Sequence, residues 1–319
     1  MKHFAPLFIS IFFFFACNIN DTLAQQDARY SMYMFNGMYL NPAYAGSTGT
    51  GSFAAFYRKQ WVNIEGSPQT MSLSAHSPFG KRQQYGLGGY LEYDEIGVHQ
   101  RITGYGAYAY RFKLPIGALA LGIQGGVQYL RSNFTDITPE EVITNPDPVF
   151  QENSSILLPN FGLGIWFNTP SFFAGLSAPH LINNKLNEGQ PNVTTIGRQY
   201  RHYLFNTGVV LKAGNSVKFV PSILVKAIPQ NAPVQFDVNL SLFLKDMLWV
   251  GSSFRFENKF NPESVNAILG FQFGNGLRLA YAYDYTLSSL NNFTSGSHEV
   301  TLGYDMKKKV ERLITPRYF

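Results

Sequence analysis

The residues best suited to chemistry in this 319-residue chain are six histidines: His3, His76, His99, His180, His202 and His298. Histidine can serve as a general base, orient a nucleophile or ligate a metal, and each role demands partners at a set spacing. No H-E-x-x-H pair occurs, and the single cysteine, Cys17, lies in an N-terminal export signal, which removes thiolate zinc sites. Serine–histidine pairs are easy to draw, because Ser74, Ser77 and Ser297 flank histidines. A lipid-cleaving pair must face lipid, yet His76 alternates with Ser72 and Ser74 on the side expected to face inward. Gly86, Gly88 and Gly89 suggest a phosphate loop, but Tyr90-Leu91-Glu92-Tyr93 continues as a strand rather than a helix. Asn145-Pro146-Asp147-Pro148 offers one carboxylate, too few for a calcium cage. The expectation is a protein that is not an enzyme, with no catalytic residue, no metal site and no cofactor.

The elements that would position any such residue follow from composition. Aromatics make up 16% of the chain and charged residues only 14%, against about 25% charged in soluble domains. Lys2 and His3 precede an apolar core over Leu7–Ala16 and small residues at Thr22-Leu23-Ala24, so residues 1–24 read as a signal peptide. Lipid attachment at Cys17 is the rival reading, and Phe15, where a small residue is preferred, weighs against it. After residue 24 no apolar run approaches the ~20 residues of a membrane helix. An exported, helix-free, aromatic-rich chain points to the outer membrane, with tyrosine and phenylalanine girdles at the interfaces. The net charge of +5 owes much to Lys307, Lys308, Lys309, Arg312 and Arg317, in a basic tail over 307–319. Export argues against nucleic acid as its partner and for lipid headgroups or acidic proteins.

Membrane strands alternate apolar and polar residues over about ten positions. Phe236, Val238, Leu240 and Leu242 oppose Gln235, Asp237, Asn239 and Ser241, and Leu279, Tyr281 and Tyr285 oppose Ala280, Ala282 and Asp284. This reading gives about 14 strands within 51–306, including 159–168, 263–274 and 297–306. Connections after even-numbered strands are short; those after odd-numbered strands include 131–158, 181–199 and 287–296. An even count with both barrel ends in the periplasm and long loops outside accounts for that alternation. The fold class is therefore all-β, a transmembrane antiparallel barrel of about 14 strands, preceded by a segment over 25–50. That segment, centred on YSMYMFNGMYLNPAYAGS (30–47), is apolar but cannot be a strand, because Pro42 lacks a ladder donor. It reads as a periplasmic or luminal plug packed against the larger β-structure.

Several motifs resemble one family. Tyr39-Leu40-Asn41-Pro42-Ala43-Tyr44-Ala45-Gly46-Ser47, Tyr57-Arg58-Lys59-Gln60-Trp61, Gly66-Ser67-Pro68-Gln69-Thr70, Asp94-Glu95-Ile96-Gly97 and Ser297-His298-Glu299 are similar to the PorP/SprF proteins of type IX secretion. The resemblance implies a non-enzymatic outer-membrane barrel that binds the C-terminal domain of a secreted surface protein, beside other subunits of the secretion machinery. It raises Tyr39, Asn41, Pro42, Tyr44, Arg58 and Trp61 to candidates for plug or partner contacts. Phe134, Phe150 and Phe293, in the long loops, are candidate anchors for the cargo domain. The competing reading is a transporter of small hydrophobic molecules, since Asn41-Pro42-Ala43 also resembles the plug motif of long-chain fatty-acid transporters.

Overall fold

The computed structural model describes residues 27–133, 153–186, 198–214, 216–229 and 232–306. Strands follow one another as antiparallel hairpins: β1 (Ser52–Lys59), β2 (Gln69–Phe79), β3 (Tyr85–Ile96), β4 (His99–Leu114), β5 (Gly117–Ser132), β6 (Ser154–Asn168) and β7 (Phe172–Ala178). After these come β8 (Tyr203–Val209, continued by Leu211–Ala213), β9 (Val217–Ile228), β10 (Ala232–Leu244), β11 (Leu248–Glu257), β12 (Asn261–Gln272), β13 (Leu277–Thr286) and β14 (Ser297–Asp305). The two parts of β8 hold one register against β9, with Gly208 opposite Ser222 and Leu211 opposite Phe219, so 15 paired segments make 14 strands. β1 pairs with β14 from Ser52↔Asp305 to Lys59↔His298, which closes the sheet. Closure is what lipid demands, since an open edge would leave backbone donors and acceptors unpaired in hydrocarbon.

The pattern of exposure is the inverse of a soluble protein. Leu240, Leu279, Tyr281, Val300 and Leu302 are exposed on the outer wall, while Asp237, Asn239, Asp284, Glu299 and Thr301 are buried on the inner wall. Because side chains alternate along each strand, the sequence period alone assigns the two faces. Asn160, Asn239 and Glu299 are 0% exposed, so the inner wall is buried by something other than lipid.

Strand β6 begins at Ser154, five residues ahead of the boundary expected at Pro159. It pairs with β5 along its whole length, Pro159 lying opposite Val127, but with β7 only from Leu163 onward. A proline's missing donor costs little on a strand edge without a ladder partner. β12 likewise ends at Gln272 rather than 274.

Short connections close the end where β1 begins: Pro115-Ile116, Thr169 to Ser171 and Lys245 to Met247. Lys245 and Asp246 have φ of 52° and 54°, the left-handed geometry of a tight hairpin. Residues 60–68, 179–186, 198–202 and 287–296 lie at the opposite end. Residues 27–51 form no strand; they contain a turn of 3-10 helix (Tyr33–Phe35), a four-residue helix (Gly37–Leu40) and a second 3-10 turn (Pro42–Tyr44).

Candidate functional site

Residues 27–51 run along the inner wall from the long-loop end to the short-turn end. Their contacts fall into two groups. In the first, charged side chains on the strands converge on residues 27–32. Arg58 of β1 donates from Nη2 to Asp284 Oδ2 at 2.5 Å, and from Nη1 to Glu299 Oε2 at 3.0 Å and to Ser31 Oγ. The backbone N–H groups of Ser31 and Met32 donate to the two Glu299 oxygens at 2.7 and 2.9 Å. Arg58 and Glu299 stand directly opposite each other on neighbouring strands. Arg255 of β11 donates to Asp237 at 2.7 Å and to the Tyr30 carbonyl at 3.2 Å. Tyr30 donates its hydroxyl to Glu92, and Arg29 pairs with Glu263 at 2.6 Å.

Asp27 closes this group. Its Oδ1 accepts from Arg101 at 3.0 Å, while its Oδ2 meets His202 Nδ1 at 2.7 Å and His180 Nδ1 at 3.3 Å. Burial opposes the Asp27 charge, but the two imidazoles outweigh it and hold the carboxyl well below its ordinary range. Burial pushes the hydroxyls of Tyr30, Tyr33 and Tyr39 upward, and that of Tyr44 to about 12.

The second group holds residues 41–46, and it contains few charges. Asn41 is the N-cap of the Pro42–Tyr44 turn: its side-chain oxygen accepts from Ala43 N at 2.9 Å, while its amide donates to the Ile165 carbonyl at 2.9 Å. Proline at the first position of that turn loses no bond, since its N–H would be unused there. The wall opposite is built of glycine. A Cβ at Gly164 would collide with Asn41 Oδ1, and one at Gly122 with the Ala43 backbone, so the turn lies flat against β5 and β6. Tyr44 meets Trp166 edge-on, with ring centroids 5.1 Å apart. Arg111 donates to the carbonyls of Gly46 and Ala45, and His76 Nδ1 accepts from Gly46 N.

Of the residues singled out in the sequence, Tyr39, Asn41, Pro42, Tyr44 and Arg58 come together along this inner wall. Tyr39 meets Tyr30 and Tyr90 edge-on and donates to the Ala28 carbonyl. Trp61 lies beyond the end of β1, half-buried, with its N–H on Ser297 Oγ. Phe293 is 70% exposed at the long-loop end and touches none of the others. Phe134 and Phe150 fall outside the described residues. Asp27, Ser31, Arg101 and Arg255 were not among the candidate site residues, and Glu299 entered only within the Ser297-His298-Glu299 resemblance, although alternation marks Asp237, Asp284 and Glu299 as inward-facing. What no local pattern reveals is that Glu299, Asp284 and Arg255 find partners 268, 226 and 225 residues away.

Similarity to known proteins agrees with this architecture. The structure matches CymD, a monoaromatic hydrocarbon channel, at a TM-score of 0.51 and 11% identity, covering 86% of this chain and 94% of that one. It also matches the outer membrane protein Omp33 of Acinetobacter baumannii at a TM-score of 0.47 and 10% identity, covering 81% and 98%. At such identity the first likeness speaks to the barrel fold alone. No curated protein matches in sequence. A family model does, over residues 22–304: that of the type IX secretion system membrane protein PorP/SprF. The chain belongs to the PorP/SprF family of type IX secretion membrane proteins and is a barrel of the outer membrane.

Proposed function

We propose that this barrel is a binding component of type IX secretion, not an enzyme. It would take the C-terminal domain of a secreted surface protein at its long-loop end and aid export or retention of that cargo. Residues 25–50 act as a plug that occupies the lumen. The observation that carries this reading is the burial of the inner wall beneath residues 27–51: a barrel filled by its own chain offers surfaces, not a passage. Loops on a rigid scaffold are where recognition concentrates, and residues 60–68, 179–186, 198–202 and 287–296 lie together at one end. Phe293 is exposed there as an apolar anchor. The basic tail, 307–319, would meet machinery subunits or lipid headgroups.

Transport of small hydrophobic molecules fits less well. The cavity beside residues 27–40 has a volume of about 70 Å³, whereas ligand sites usually need at least about 300 Å³. The inner wall is also mostly polar. Affinity purification of the tagged protein from its native outer membrane, followed by mass spectrometry, tests the proposal. A large surface protein together with secretion subunits supports it. A barrel recovered alone with bound fatty acid contradicts it.

A further inference from the structure

Asp27, His180 and His202 meet at one point, although they are distant in sequence. The carboxylate oxygen Oδ2 and the two imidazole Nδ1 atoms lie 2.7, 3.3 and 3.5 Å apart pairwise. All three side chains are buried or nearly so, with exposures of 11%, 5% and 4%. Three lone-pair atoms within 3.5 Å of one another are an unusual use of a protein interior. A hydrogen-bonded account lets Asp27 take one N–H from each ring, but it leaves two like nitrogens facing each other at 3.5 Å.

The geometry points to a site for a divalent transition-metal ion, with Asp27, His180 and His202 as its three protein ligands. A tetrahedral zinc with ligand bonds of ~2.0–2.1 Å requires ligand atoms ~3.3 Å apart. Two of the three separations already match, and the Asp27–His202 pair, at 2.7 Å, needs to open by about 0.6 Å. Two imidazoles and one carboxylate suit zinc, and also cobalt and nickel, better than calcium or magnesium, which prefer oxygen. The adjoining cavity of about 70 Å³ is lined by all three residues and leaves room for a water as fourth ligand. Arg101 on Asp27 Oδ1 fixes the carboxylate so that Oδ2 faces the imidazoles, and Asp94 in turn holds Arg101 at 3.0 Å.

The placement gives the ion a purpose. His180 and His202 bracket the long connection between β7 and β8, and Asp27 lies at the long-loop end of the segment on the inner wall. A metal here would tie both bases of that connection to residue 27 and so fix a loop at the long-loop mouth. It would be a structural staple, independent of which cargo the mouth takes.

The test uses the full-length barrel purified in detergent without a histidine tag, treated with chelator and dialysed, then titrated with zinc chloride by calorimetry. H180Q and H202Q are titrated alongside, with heat-modifiable gel mobility confirming that each barrel is folded. The expected result is one equivalent of zinc per chain, with affinity lowered ~100-fold or more in either variant, since each removes one of only three ligands. Should a variant fail to fold, the X-ray absorption spectrum of the zinc-loaded wild type decides, by the presence or absence of two imidazole scatterers. Wild-type protein that takes up no stoichiometric zinc, variants that bind it equally, or a spectrum without imidazole would each overturn the assignment.

Discussion

Residues 27–32 and residues 41–46 rest on the same inner wall but are held by different physics. The first group is gripped by charge: Arg58, Arg101 and Arg255 each bridge a wall carboxylate and the segment, or lie between two such groups. The second is held by shape, with Asn41 and Ala43 seated where Gly164 and Gly122 leave no side chain. A charged grip is costly to assemble, because every ion must leave water, and it fails badly when one member is lost. A steric seat costs little and yields gradually. The contrast teaches that the long-loop end of the segment is the end that can be released by changing a single charge.

The sharpest way to break that contrast is Arg58→Ala. It would leave Asp284 and Glu299 buried without their counter-ion, a loss of roughly 3–5 kcal/mol. Limited proteolysis of the folded barrel should then cut within residues 28–36, while 41–46 stay protected. Arg29→Ala removes a pair that is 22% exposed at each side chain, and should cost under about 1 kcal/mol and leave cleavage unchanged. Equal sensitivity of the two variants would mean that charge does not distinguish these positions.

Gly164→Val probes the other seat. Overpacking of this kind costs about 1–3 kcal/mol, and the cut sites should move to 41–46, with 28–36 still resistant. Hydrogen exchange on the same variant provides a second measure of which half has loosened.

Alkaline pH should sharpen the comparison least selectively, since raised tyrosines lie in both halves: Tyr30, Tyr33 and Tyr39, and Tyr44 at about 12. Burial raises each, so the seated segment holds its tyrosines neutral while a released segment would ionise them from about pH 10. Stabilisation is therefore complete below pH 10 and declines above it, by up to about 1.4 kcal/mol per pH unit for each tyrosine, through pH 12 for Tyr44. Protease sensitivity measured from pH 9 to 11 should rise only above 10. A rise already complete at pH 9 would speak against tyrosine burial as the cause.

Much of this was legible in the sequence, and the reasons are specific. Alternation in 235–244 and 277–285 assigned inner and outer faces because lipid enforces a period of two more strictly than water does. The even strand count came from the same alternation, and the loop lengths agreed with it. Pro159 was the exception: it looked like a boundary and proved to be an edge residue, because nothing in sequence tells that β6 outruns β7. Pro42 marked a non-strand segment, and the family resemblance made Arg58 a candidate contact. The pairings of Arg58 with Asp284, of Arg255 with Tyr30 and of Asp27 with two histidines were not legible. They arise only when the barrel closes and residues 27–51 lie along its inner wall, bringing together parts of the chain far apart in sequence, and no local periodicity encodes that.

The central claim is that residues 27–51 fill the barrel. Planar-bilayer conductance of the purified protein, compared with a variant lacking residues 27–50, tests it most directly. The account predicts no resolvable channel steps for the intact chain and clear, ion-permeable steps once the segment is removed. Intact protein that conducts as well as the shortened variant would contradict it.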